Sequence, residues 1–214
     1  MLAASLRERF AATHPHVEIV EQDVLTFDLV AASRQAGQPL LIVGNLPYYI
    51  TSPILMHLAH AAHFPADPAA RPVLDAAVLM VQREVADRVT ALPGSRDYGL
   101  LTVLCALHGT ATPLFTLPPE AFSPPPEVHS TVFRWKFAPR FDALGLDGAS
   151  FSRLLQSAFA QKRKTLANNL RAAGYTAAQI ARALDQTSTP PQARAEELSL
   201  DQFAALHHAL TAAQ

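Results

Sequence analysis

The 214 residues include one cysteine, no run approaching eighteen apolar residues, and 16% charged residues. The lone Cys105 excludes an internal disulfide, and its apolar neighbours in LTVLCALHG point to a buried, inert thiol rather than a nucleophile. The opening MLAASLRERFAATHPH has no basic segment followed by an extended apolar core. Neither a membrane span nor a signal peptide is therefore expected, and the cytoplasm is the expected location. Low charge without low-complexity stretches or fixed-period repeats excludes a disordered chain and a solenoid. With 50% hydrophobic residues, a sizeable core is affordable.

The net charge of -1 argues against a nucleic-acid partner until its distribution is considered. Residues 1–150 hold 10 basic and 14 acidic side chains, net -4, whereas residues 151–214 hold 7 and 4, net +3. The basic excess is concentrated in QKRKTLANNLR, where Lys162, Arg163, Lys164 and Arg171 are candidates for phosphate contact, with Gln161 and Asn168 as polar companions. His57, His60 and His63 follow a three-residue spacing, but no carboxylate or cysteine partners them, so the pattern predicts one exposed helix face and no metal.

Hydrophobic patterning predicts a short helix in LAASLRERFAAT, a strand at Val17, Ile19 and Val20 running to Asp23, and a strand buried on both faces in PLLIVGN. TSPILMHLAHAA supplies Ser52 as an N-cap and Pro53 as the first helical residue. AAVLMVQREVADRV repeats strand then helix, DYGLLTVLCALHG is another apolar helix, and ATPLFTL and HSTVFRWKF read as an antiparallel pair across the proline-rich PPEAFSPPPEV. The expectation is an α/β domain over residues 1–140, with a Rossmann-like, mostly parallel sheet, and a small all-α domain over residues 148–214. In the latter, Phe151, Leu154, Leu155, Ala158 and Phe159 form one stripe, Gly174 ends a helix, Thr176 caps the next, and Ser199 with Gln202 forms a capping box.

The stretch LLIVGNLPYYITSPIL, residues 40–55, ends a buried strand on Asn-Leu-Pro-Tyr. Doubly wound sheets bind ligands at the carboxyl ends of their strands, where Asp23 and Asn45 fall, and aromatic residues there suit a planar ligand. Tyr49 is expected to serve packing.

NLPYYITSPIL resembles the Asn-Leu-Pro-Tyr motif of adenine-N6 methyltransferases, and MVQREVADRV, YGLLTVL, EAFSPPPEVHSTVFR and FAQKRKTLANNL resemble, in order, segments of the ribosomal RNA adenine dimethyltransferases. The resemblance runs from about Val17 onward and is strongest to the bacterial small-subunit branch. It implies S-adenosylmethionine as methyl donor, small-subunit ribosomal RNA or its 30S precursor as partner, no membrane association, and a monomer. It further implies that Asp23 contacts the adenine end of the cofactor, that Asn45, Leu46, Pro47 and Tyr48 form the catalytic motif with Asn45 also facing the cofactor, and that Tyr48 and Phe122 stack on the target base. The family's glycine-rich loop and ribose-binding acid have no counterpart here, so this chain is expected to be a truncated form with weak cofactor binding and impaired transfer.

The adenine amino lone pair is delocalised into the ring. Acceptors from the Asn45 side chain and a backbone carbonyl beside Pro47 would localise it by orientation and placed dipoles. Two readings stay open beside this one: a large-subunit enzyme of the resistance type, and a catalytically silent RNA-binding or ribosome-assembly module.

Overall fold

The computed structural model describes residues 2–63 and 71–212. The chain opens with α1 (Leu2–Ala11), α2 (Leu29–Ala36) and strand β1 (Leu40–Asn45). A crossover through α3 (Thr51–His63) leads to β2 (Leu74–Gln82), which pairs with β1 in parallel. Then come α4 (Arg83–Val89), α5 (Leu100–His108) and the antiparallel strands β3 (Gly109–Leu117) and β4 (Ser130–Phe137). The strand order is β1-β2-β4-β3, with β2 and β4 antiparallel.

The central strands β2 and β4 each bury one face completely, with Phe133 and Trp135 fully buried, while the other face is half-buried along β2 and open at Arg134 and Lys136 of β4. Pro113 is tolerated because β3 is an edge strand, and the register slips there, between Pro113 and Phe115. Gly109 joins α5 to β3 where any Cβ would run into the Lys136 carbonyl, so only glycine fits that approach.

Two expectations for the first third are corrected. Residues 17–20 form no strand: Val17 and Val20 are 40% and 49% exposed, and the segment is held by the Arg7 guanidinium donating to the Ile19 carbonyl. A strand exists only through ladder partners, and among the described residues none lies beside this segment. β1 is likewise not buried on both faces; it is an edge strand, with Leu41 and Val43 71% and 83% exposed on the face that ends at Asn45. The helix after it begins at Thr51, one residue before the expected Ser52 cap, because the turn Tyr48–Ile50 runs directly into it; the Thr51 hydroxyl donates back to the Pro47 carbonyl at 3.1 Å.

After the short α6 (Phe141–Leu144), helices α7 (Gly148–Ala158), α8 (Leu166–Ala172), α9 (Ala177–Gln186) and α10 (Leu200–Thr211) complete the chain. The Ser199–Gln202 capping box forms as read, and Thr176 caps α9 as expected, with Gln179 completing a second box there. Their apolar stripes close a second core that Val103 and Leu107 of α5 enter, while Cys105 of the same helix faces the sheet core. Burial pushes the Cys105 thiol up to about 12, which leaves it protonated and unreactive. No helix among the described residues is long and apolar enough to cross a membrane.

Candidate active site and RNA-facing surface

The sheet brings four segments to one edge. Asn45 ends β1 opposite Met80, Gln82 ends β2 opposite Ser130, and Ser130 opens β4 opposite Leu117, the last residue of β3. The proline-rich loop 118–129 therefore springs from the edge on which Asn45 stands, and the Arg83 amide, donating to the His129 carbonyl, ties its far end down. Phe122 lies half-buried in that loop after a single helical turn, Pro119–Ala121.

Leu46 is the pivot of the motif. Its side chain is buried in the sheet core and its amide donates to the Met80 carbonyl, while its own carbonyl carries no hydrogen bond among the described residues. The Pro47 carbonyl, in contrast, is occupied by the Ile50 amide and the Thr51 hydroxyl. Of the two carbonyls flanking the Leu46–Pro47 bond, Leu46 is thus the one open to a donor. The Asn45 side chain is exposed and makes no hydrogen bond among the described residues. The next turn, Tyr48–Ile50, separates its side chains: the Tyr48 hydroxyl lies 2.8 Å from the Ser130 hydroxyl, and Ile50 packs into the core. Tyr49 is not packed as expected but 86% exposed.

Asp23 is exposed, and one of its carboxylate oxygens caps the turn Val24–Thr26 by accepting from the Leu25 amide at 2.9 Å. That turn packs on α3, where His57 reaches the Phe27 carbonyl. The second Asp23 oxygen and the Asn45 side chain are both exposed and carry no hydrogen bond among the described residues, which leaves each able to meet a ligand.

The basic segment 161–164 is a turn, not part of a helix. Thr165 caps α8, so the helix starts after the basic residues. The buried Asn169 donates to the carbonyls of Ala158 and Gln161, at 2.7 and 3.2 Å, and holds the turn closed. Lys162, Arg163 and Lys164 are exposed on it; Arg171 is exposed on α8 and bonds Asn168. Sequence reasoning missed the cleft beside this turn: Arg88 and Arg96, together with the carboxylates Asp97 and Glu196, line a cleft of about 730 Å³ with Lys162, whose ammonium donates to the Arg96 carbonyl. It also missed Ser130, for which no local signal exists. The three spaced histidines part ways, since His57 bonds the Phe27 carbonyl and His63 stacks on Phe141 at 3.8 Å.

Among the described residues only β1 and β2 pair in parallel, and β4 and β3 extend the sheet antiparallel, so the sheet is not the mostly parallel one expected. With Asn-Leu-Pro-Tyr at the carboxyl end of β1, the arrangement is that of a Rossmann-like methyltransferase. The solved structures agree: a dimethyladenosine transferase from Plasmodium falciparum superposes with a TM-score of 0.72 at 21% identity, over 95% of this chain and 76% of that one. The 23S rRNA methyltransferase ErmE gives 0.66 at 25% identity, over 98% and 78%. The chain itself belongs to the ribosomal RNA adenine dimethylase family, whose pattern matches residues 1–211. It is 55% identical to the ribosomal RNA small subunit methyltransferase A of Acidobacterium capsulatum, covering 98% of this chain and 70% of that protein. The corresponding figures for the protein of the same name from Koribacter versatilis are 43%, 98% and 74%.

Proposed function

We propose that this protein dimethylates adenine N6 in small-subunit ribosomal RNA, in the 30S precursor, as a cytoplasmic monomer, with S-adenosylmethionine as donor. The observation that carries this reading is the shared sheet edge, on which Asn45, the open Leu46 carbonyl, Tyr48 and the root of the Phe122 loop converge. The identity to relatives named for the small subunit supports the choice of RNA.

The cofactor, when bound, supplies an electrophilic methyl group; Asp23 and Asn45 are the residues of this chain that would meet it. The adenine side is the work of the chain's own groups. Before the first transfer the Asn45 side-chain oxygen and the Leu46 carbonyl accept the two N6 hydrogens, which turns the nitrogen lone pair out of the ring plane. Each transfer releases one N6 proton to solvent, so the single hydrogen left after the first keeps one of the two acceptors for the second. The side-chain amide is neutral, so it orients the amino group without forming an ion pair with the sulfonium. Extruding the base costs a few kcal/mol, and stacking between Tyr48 and Phe122, at ~1 to 3 kcal/mol per base, offsets it. Lys162, Arg163, Lys164 and Arg171 hold phosphates and position the strand without reading its sequence.

The test is incorporation of labelled methyl groups from S-adenosylmethionine into unmethylated small- and large-subunit RNA. Small-subunit labelling that Asn45→Ala lowers by far more than tenfold, about 1.4 kcal/mol of barrier, is expected. Preferential large-subunit labelling would select the resistance-type enzyme; RNA binding without cofactor binding would select a silent assembly module.

A further inference from the structure

The turn after Pro47 distributes three consecutive side chains in three directions, as a helix of three residues per turn must. Tyr48 is half-buried with its hydroxyl on Ser130, and Ile50 is anchored in the sheet core. Tyr49 projects outward. At 86% it is the most exposed of the large hydrophobic side chains, and it has neither a hydrogen bond nor a ring partner among the described residues. An isolated exposed apolar residue is ordinary on a protein surface. What distinguishes Tyr49 is where it stands, on a turn pinned at both sides, one residue from the ring assigned to the target adenine. At this exposure the ring buries little surface in the fold.

A single strand that gives up one base to a pocket also loses stacking on that base's neighbour. An aromatic face beside the pocket restores it, and does so for any base, because every base has a π-face. We propose that Tyr49 is a second stacking platform, which takes the nucleotide adjacent to the target adenine and so positions the strand across the pocket mouth. This rests on the adenine pocket proposed above. Tyr48 and Phe122 would then hold the reacting base, and Tyr49 would set how the strand continues. The phenol hydroxyl has no part in this, so phenylalanine should serve as well.

The experiment compares the affinities of adenosine and of the dinucleotide ApA for the whole chain and for Tyr49→Ala and Tyr49→Phe, by calorimetry or shift titration. One stacked base confers roughly 5- to 150-fold. The second nucleoside should therefore raise affinity at least about fivefold in the parent and in Tyr49→Phe, and less than about twofold in Tyr49→Ala, with adenosine affinity the same in all three. An equal gain from the second nucleoside in parent and Tyr49→Ala, or no gain in the parent while adenosine still binds, would overturn the platform and leave the pocket standing. Failure of the parent to bind adenosine at all would overturn both.

Discussion

The Tyr48 hydroxyl lies 2.8 Å from the hydroxyl of Ser130, a residue 82 positions further along the chain and fully buried at the start of β4. This bond joins the motif after β1 to the root of the Phe122 loop, so the two aromatic walls of the proposed pocket share one anchor.

Removing either hydroxyl should cost about 0.5 to 1.5 kcal/mol of stability, the net worth of one hydrogen bond, with more where a buried partner is left unsatisfied. In a double-mutant cycle of Tyr48→Phe and Ser130→Ala, followed by urea unfolding, the two losses should not add. The missing part measures the bond, and strict additivity would show that it contributes nothing.

The turn 161–164 should contribute to RNA affinity through charge alone. Replacing Lys162, Arg163 and Lys164 with alanine should lower the slope of log affinity against log salt by roughly two units, at about 0.7 per phosphate on single-stranded RNA. An unchanged slope would assign the three to a solvated surface.

Asn169 is the residue that shapes that turn. Asn169→Ala removes both of its donated bonds and leaves the Ala158 carbonyl, which receives the shorter of them, unpaired by this side chain. A loss of about 1 to 3 kcal/mol in urea unfolding is expected, with RNA affinity falling alongside. A stable variant with full affinity would show that the turn holds without it.

His108 predicts the acid limit of the fold. It is 5% exposed beneath Phe141, with its Nδ1 hydrogen on the Leu104 carbonyl. Burial first of all, with the nearby His63 and His60 adding to it, lowers its pKa to about 4, against the stabilising bond to Leu104. The unfolded chain takes up this proton near pH 6.5 and the folded chain only near 4, so its contribution is intact above 6.5 and is lost as pH falls through that window. The full shift corresponds to about 3 kcal/mol at 1.36 per unit. His207 is shifted in the same direction, chiefly by burial, and adds to the slope. Unfolding free energies at pH 7.5 and 4.5 should therefore converge in His108→Gln relative to the parent; an identical pH dependence would show that His108 titrates normally.

The sequence disclosed what is encoded locally. The cap at Thr176, the capping box at Ser199, the strands β2 and β4, and the strand-end position of Asn45 follow from spacing and periodicity. What it hid is tertiary. Residues 17–20 have the composition of a strand, but pairing partners, not propensity, decide whether one forms. Leu41 and Val43 read as buried because aliphatic runs usually are, yet burial depends on what lies over the face. The basic segment read as helix until Thr165 capped α8 behind it and Asn169 folded it into a turn. Ser130 joins the sheet-edge site, and Arg88 and Arg96 the separate cleft beside Lys162, only through the fold, and no spacing could have shown them. The motif residues Asn45 to Tyr48 were legible, whereas the identity of the open carbonyl, that of Leu46, required the hydrogen bonds around Pro47.

Whether the strand-end motif and the proline-rich loop together seat an adenine is tested most directly by titrating adenosine into isotopically labelled protein and mapping chemical shifts, independently of methyl transfer. Saturable shifts of the Asn45 side-chain amide and of the backbone of Leu46, Tyr48 and Phe122, lost in Asn45→Ala, are expected. Shifts confined to the cleft of Arg88, Arg96 and Lys162, or shifts that survive Asn45→Ala unchanged, would contradict that seat.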